Sequence, residues 1–194
     1  MKNPKSLIFF LLLTIVPARL SMAQGGAPQR EQAPVAHNPP QQLVIEIEVP
    51  APVHDVWQAF STSEGLSTWL FPDATVDLRP GGDWLVHFPG GSTGGGTIVS
   101  FVPEKELVVA ALAPDKFPHV RAERTRAVFQ FVPRGNSTIV RLTQTGWKSG
   151  DEWTRAYEYL AAANAQLMAT LHRRFVDGPT DWKKVMGGEK PASK

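Results

Sequence analysis

The sequence predicts an α+β domain: a curved antiparallel sheet of about six or seven strands wrapped around one long C-terminal helix, with two short helices after the first strand. Three observations carry this reading. From Thr75 to Thr145, short segments rich in Val, Ile, Phe and Thr alternate with turn residues. Their spacing is too close to hold crossover helices, so the sheet is antiparallel. From Ser149 to Phe175, apolar residues recur at helical spacing without a break. The helix has one apolar stripe and the sheet one apolar face, and each must bury against the other.

Taken in order, Leu43, Ile45, Ile47 and Val49 alternate with Val44, Glu46 and Glu48, the period of a strand with one buried face. Pro50 and Pro52 end it, and Pro52 suits a first helical turn. In VHDVWQAF, Val53, Val56, Trp57 and Phe60 fall on one side of a helix. Ser63 to Leu70 reads as a second short helix, with Ser63 as its N-cap and Leu66, Trp69 and Leu70 as its apolar side. Strands follow near 75–79, 83–88, 96–102, 106–112, 122–132 and 137–145. They are separated by Pro80-Gly81-Gly82, the glycine stretch 90–96, Pro103-Glu104-Lys105, Ala113-Pro114-Asp115 and Pro133-Arg134-Gly135-Asn136. In the long helix, Ser149 and Glu152 have the spacing of a capping box. Trp153, Tyr157, Leu160, Asn164, Leu167, Met168, Leu171 and Phe175 make its stripe, and Gly178-Pro179 ends it. A single helix gripped by a curved sheet is a helix-grip architecture, and it leaves room for a ligand cavity between the two.

The ends belong to a different regime. Lys2 and Lys5 precede the short apolar run Leu7–Val16, and Ser21-Met22-Ala23 offers a small-residue cleavage site. Residues 1–23 therefore read as a signal peptide, too short to span a bilayer, which places the mature protein in the periplasm or outside the cell. A retained anchor is the alternative. Residues 24–41 are rich in Pro, Gln, Gly and Ala and read as a disordered linker. The folded domain is expected over 42–176, and 177–194 as a frayed tail that holds Trp182 but little else to bury. Of the 20 basic residues, Lys2, Lys5 and Arg19 fall in the signal. That leaves 17 basic against 18 acidic residues, a net charge of −1 with His neutral. Such a balance argues against a nucleic-acid partner. With no cysteine, neither a disulfide nor a thiolate metal site is available. The roughly 130–150 residues of the domain must hold together through one core.

Two motifs invite chemistry. Gly90-Gly91-Ser92-Thr93-Gly94 matches G-x-S-x-G, and the same glycines resemble a phosphate loop. A nucleophile elbow needs a strand before it and a helix after it, whereas here DWLVHF leads in and GTIVSF leads out. A phosphate loop needs a helix start and a Lys after its last Gly, and Gly94-Gly95-Gly96-Thr97 provides neither. The stretch reads as a mobile hairpin loop. His37, His54, His87, His119 and His172 lack metal-ligand spacing, no carboxylate pair stands out, and no cofactor is called for. Arg121, Arg124, Arg126, Arg134 and Arg141 read as a solvated outer face.

The stretches VPAPVHDVWQAFSTSEGLSTWL, VDLRPGGDWLVHF, GTIVSFVPEKELVVAAL and TIVRLTQTGW, ahead of a long helix, resemble the SRPBCC superfamily. Within it they are most similar to the family related to the activator of heat-shock protein 90 ATPase, over about Leu43 to Phe175. The resemblance implies a helix-grip fold and usually an apolar cavity. It covers lipid carriers, hormone and allergen-type binders, aromatase/cyclases and chaperone regulators. Relatives commonly carry a Trp midway along the last helix, where this chain has Asn164.

The expected cavity residues are Trp57, Trp69, Trp84, Thr125, Phe129, Gln144, Tyr157, Asn164 and Met168. The aromatic members can equally be plain core. Tyr157 and Asn164 interrupt an apolar stripe, and a buried hydroxyl or amide needs a partner. Gln144 alternates in phase with Val140 and Leu142, and Thr125 with Phe129. The first expectation is a noncatalytic binder or carrier of a small hydrophobic molecule. A cavity-based enzyme of cyclase/aromatase or hydrolase type and a protein-interaction module both stay open.

Overall fold

The computed structural model describes residues 42–186. The signal peptide and linker readings lie outside them. Seven strands form one antiparallel sheet: β1 Gln42–Val49, β2 Ala74–Val76, β3 Asp83–His87, β4 Thr93–Val102, β5 Glu106–Ala111, β6 Thr125–Arg134 and β7 Ser137–Thr145, in the spatial order β1-β7-β6-β5-β4-β3-β2. The helices are α1 Val53–Ser61, α2 Ser63–Ser67, α3 Pro118–Glu123, α4 Asp151–Asp177 and α5 Trp182–Met186. This is the α+β helix-grip fold that the residue pattern predicts.

The alternation of each strand decides what faces α4. Val140, Leu142 and Gln144 of β7 pair with Phe131, Phe129 and Ala127 of β6, and all six are buried. The polar residues between them point the other way. There Arg141 pairs with Glu46 and Arg134 with Glu48, so part of the arginine cluster forms cross-strand ion pairs on the outer face. Arg121 departs from that reading. It is half-buried, bonded to Asp115 and Thr93, and belongs to α3, a helix that the sequence pattern does not predict and that overlaps the expected 122–132 strand only at its last two residues.

Two caps also differ. Thr62, not Ser63, caps α2 by accepting from the Gly65 N–H at 2.9 Å; Ser63 Oγ accepts instead from the Val76 N–H, tying the helix to β2. The Ser149–Glu152 box does not form. Gly150 precedes α4, and Glu152 reaches across to the first N–H groups of α3. The tail past 176 is docked at least to α5: the Trp182 indole donates to the Ser67 carbonyl at 2.6 Å, and its ring lies 5.9 Å from that of Phe71.

The glycine stretch is shorter as a loop than expected. Gly94, Gly95 and Gly96 are already in β4, opposite Val86, Leu85 and Trp84, and Ser92 sits at a strand-to-strand hairpin. Gly95 has φ +100°, and a β-carbon there would lie 2.1 Å from the Trp84 carbonyl oxygen. The glycines thus let β4 approach β3 and β5 closely.

Candidate functional site

Two apolar clusters lie at different points along α4. The larger holds Phe60, Trp69, Trp84, Phe129 and Phe131 and takes Met168 and Leu171 from the C-terminal half of the helix. The smaller joins Phe117 and Val120 of the α3 region to Trp153 and Ala156 at the helix start. Between these anchor points the inward residues of α4, Leu160, Ala163, Asn164 and Leu167, are only half-buried. The reason is a chamber of about 510 Å³ between the middle of α4 and the sheet.

Its walls are apolar. Trp84 and Val86 come from β3, Val109 from β5, Ala127 and Phe129 from β6, and Leu142 from β7. Glycines line one end, because Gly94 and Gly95 of β4 place no side chain where a larger residue would intrude. Ser92, Thr93 and Asp115 lie there too, and α4 contributes Tyr159, Gln166 and Thr170. Arg121 stitches these segments together: its guanidinium meets Asp115 at 3.0 Å and donates to Thr93 Oγ1 at 3.1 Å and to the Ala113 carbonyl. Lys116 Nζ sits 3.6 Å from the Tyr159 ring centroid, a cation–π contact.

One polar chain enters the apolar wall. Asn164 Nδ2 donates to Gln144 Oε1 at 2.7 Å, and Gln144 Nε2 donates to Thr125 Oγ1 at 2.6 Å. Gln144 and Thr125 are 2% and 4% exposed, so this chain satisfies groups that would otherwise be costly to bury. Among the described residues, the Asn164 carboxamide oxygen and its second N–H have no protein partner.

Of the nine expected cavity residues, the structure brings Trp84, Phe129, Gln144 and Asn164 to the chamber. The other five are elsewhere, each for a visible reason. Trp57 stacks edge-on to Phe131 at 5.5 Å and is core. Trp69 is fully buried, with its indole N–H donated to the Ala59 carbonyl. Met168 fills the large cluster. Thr125 stands behind Gln144 as its hydrogen-bond partner rather than in the lining. Tyr157 is rotated away: its hydroxyl lies 3.5 Å from the Gln42 carbonyl oxygen and its ring packs against Trp147. Tyr159 is the tyrosine of the lining. Sequence reasoning missed it because it lies off the apolar stripe, although Tyr159, Ala163, Gln166 and Thr170 form a stripe of their own at helical spacing. Val86, Ala127 and Leu142 were readable from strand alternation, being in phase with Trp84, Phe129 and Gln144.

Among the described residues, no three His, Asp or Glu side chains converge to hold a metal ion. No helix there is long and apolar enough to cross a membrane. The one clearly displaced acidity among the described residues belongs to Glu152, which is not part of the chamber lining. The hydrogen bond from the His119 ring (2.7 Å) holds Glu152 below the ordinary carboxylate value, helped by the backbone N–H groups of Val120 and His119 and outweighing desolvation.

A sheet gripping one long helix above an apolar chamber defines the SRPBCC class of helix-grip proteins. Residues 50–172 match the family described as Activator of Hsp90 ATPase homolog 1-like protein, and the chain belongs to that family. Among solved structures, it is similar to the Aha1 dimer from Colwellia psychrerythraea (20% identity, TM-score 0.59, covering 71% of this chain and 97% of that one). It is equally similar to protein MLL2253 from Mesorhizobium loti (19%, 0.59, 70% and 96%). CalU16 from Micromonospora echinospora is 18% identical, with a TM-score of 0.54, over 75% of this chain and 80% of that one. At these identities the likeness is one of fold. No curated protein matches the chain.

Proposed function

We propose that this chain is an exported, noncatalytic binder or carrier of a small hydrophobic molecule, held between α4 and the sheet. The observation that supports the reading is the chamber itself. Its volume of about 510 Å³ lies within the roughly 300–1,000 Å³ of small-molecule sites. Its walls are chiefly apolar side chains, with few polar groups to fix orientation. Export rests on the basic start, apolar run and cleavage site of residues 1–23.

Three measurements test this. An environment-sensitive apolar dye should bind saturably and in stoichiometric amount, and native mass spectrometry of protein recovered from its exported compartment should show a retained small molecule. A protein that binds no dye in stoichiometric amount is not such a carrier. Intact mass should place the mature N-terminus at or near Gln24; a retained Met1 speaks for an anchor instead.

A further inference from the structure

The polarity of the chamber narrows its ligand, given the reading of the chamber as a binding site. Among the described residues that line it there is no Lys, Arg or His, and the sole carboxylate is Asp115. Asp115 is 64% exposed and already paired with Arg121. A charged ligand group brought against the apolar wall would lose its hydration without gaining a partner, since no basic side chain lines the chamber and Arg121, at its end, is already paired with Asp115. The wall is not wholly apolar, however. Gln144 is locked by its bonds to Thr125 and Asn164, so the carboxamide of Asn164 is held from behind in a defined orientation. It retains one N–H and one carbonyl oxygen without protein partners, on the inward side of α4 among the half-buried lining residues. A ligand group that reaches Asn164 can both accept and donate there. A plain hydrocarbon seated there would leave these atoms unpaired.

We infer that the chamber selects an uncharged, mostly apolar molecule carrying a hydroxyl or carbonyl oxygen, which hydrogen-bonds to Asn164, and that it rejects carboxylates. This is narrower than hydrophobic binding in general: it excludes ionised fatty acids and places the polar atom of the ligand against the middle of α4.

The test is displacement of a bound apolar dye at neutral pH by four probes that share one ring system: naphthalene, a naphthol, an acetylnaphthalene and a naphthoate. After correction for their different transfer from water to a nonpolar solvent, the naphthol and acetylnaphthalene should bind about three- to tenfold tighter than naphthalene, the ratio expected of one net hydrogen bond. The naphthoate should bind at least tenfold more weakly than the naphthol. In Asn164→Leu, the advantage of the oxygenated probes over naphthalene, read as a ratio within the variant, should disappear. Equal binding of naphthoate and naphthol, or an advantage that survives Asn164→Leu, overturns the inference while leaving an apolar binding site in place. If neither dye nor naphthalene binds the wild-type protein, the carrier reading falls and this inference falls with it. Should Asn164→Leu not fold, the wild-type series decides, since it already separates neutral oxygenated probes from the anion and from the bare hydrocarbon.

Discussion

At the scale of single residues, Asn164 matters most because it joins two roles. It satisfies the buried Gln144 and faces the chamber with the rest of its carboxamide. A large side chain at this position has empty space to enter. Asn164→Trp should therefore fill the chamber, lower dye binding by tenfold or more, and leave the protein folded. Were the space solid, the same substitution would cost the roughly 1–3 kcal/mol typical of overpacking. Dye titration and thermal melting of the two proteins read the difference. Unchanged binding by a stable variant would remove Asn164 from the site. The contrast with Tyr157 is instructive. Both interrupt the apolar stripe of α4, yet Tyr157 turns toward Trp147 and the start of β1.

At the scale of elements, β4 and α3 shape the end of the chamber where Asp115 and Ser92 lie. Gly95→Ala should destabilise the protein by at least about 1–3 kcal/mol, from the positive φ alone. The close Trp84 carbonyl adds to this, so the melting temperature should fall by several degrees. A variant that melts like wild type would show that β4 tolerates a side chain there. The α3 helix is short and borrows its N-terminal acceptor from α4 through Glu152. A carboxylate held below its ordinary value contributes stability that is fully present above its unfolded pKa and lost as pH falls through the folded one. Glu152→Gln should accordingly lower the melting temperature at neutral pH. The gap to wild type should close as the solution is acidified below the ordinary carboxylate range. A gap that is constant with pH would mean that the charge of Glu152 plays no part.

At the scale of the whole molecule, one apolar surface holds sheet, α1, α2 and the second half of α4, and a smaller one holds α3 to the start of α4. The chain then returns, so that Trp182 bonds to Ser67 and packs near Phe71. Trp182→Ala should lose this closure. Removing a half-buried ring and its hydrogen bond should cost about 1–3 kcal/mol, seen as a melting temperature several degrees lower. No change would return the segment to the status of a loose tail.

The sequence by itself determined the fold. Strand alternation, turn residues and the stripe of α4 are local patterns with fixed periods, and together they admit one architecture. The same periods put Trp84, Phe129, Gln144 and Asn164 on surfaces that face each other. What they could not decide was which inward residues touch a void and which touch one another. Trp57, Trp69 and Met168 have the same apolar character as the wall residues, yet they are core, because α1, α2 and the end of α4 close over them. Ser63 turns to the Val76 N–H and Glu152 to the first N–H groups of α3, donors that the packing of distant segments brings within reach, and Thr62 caps α2 in place of Ser63. The chamber exists because α4 is anchored at separate points along its length and spans the sheet between them. That span depends on long-range packing, which no local period in the sequence records.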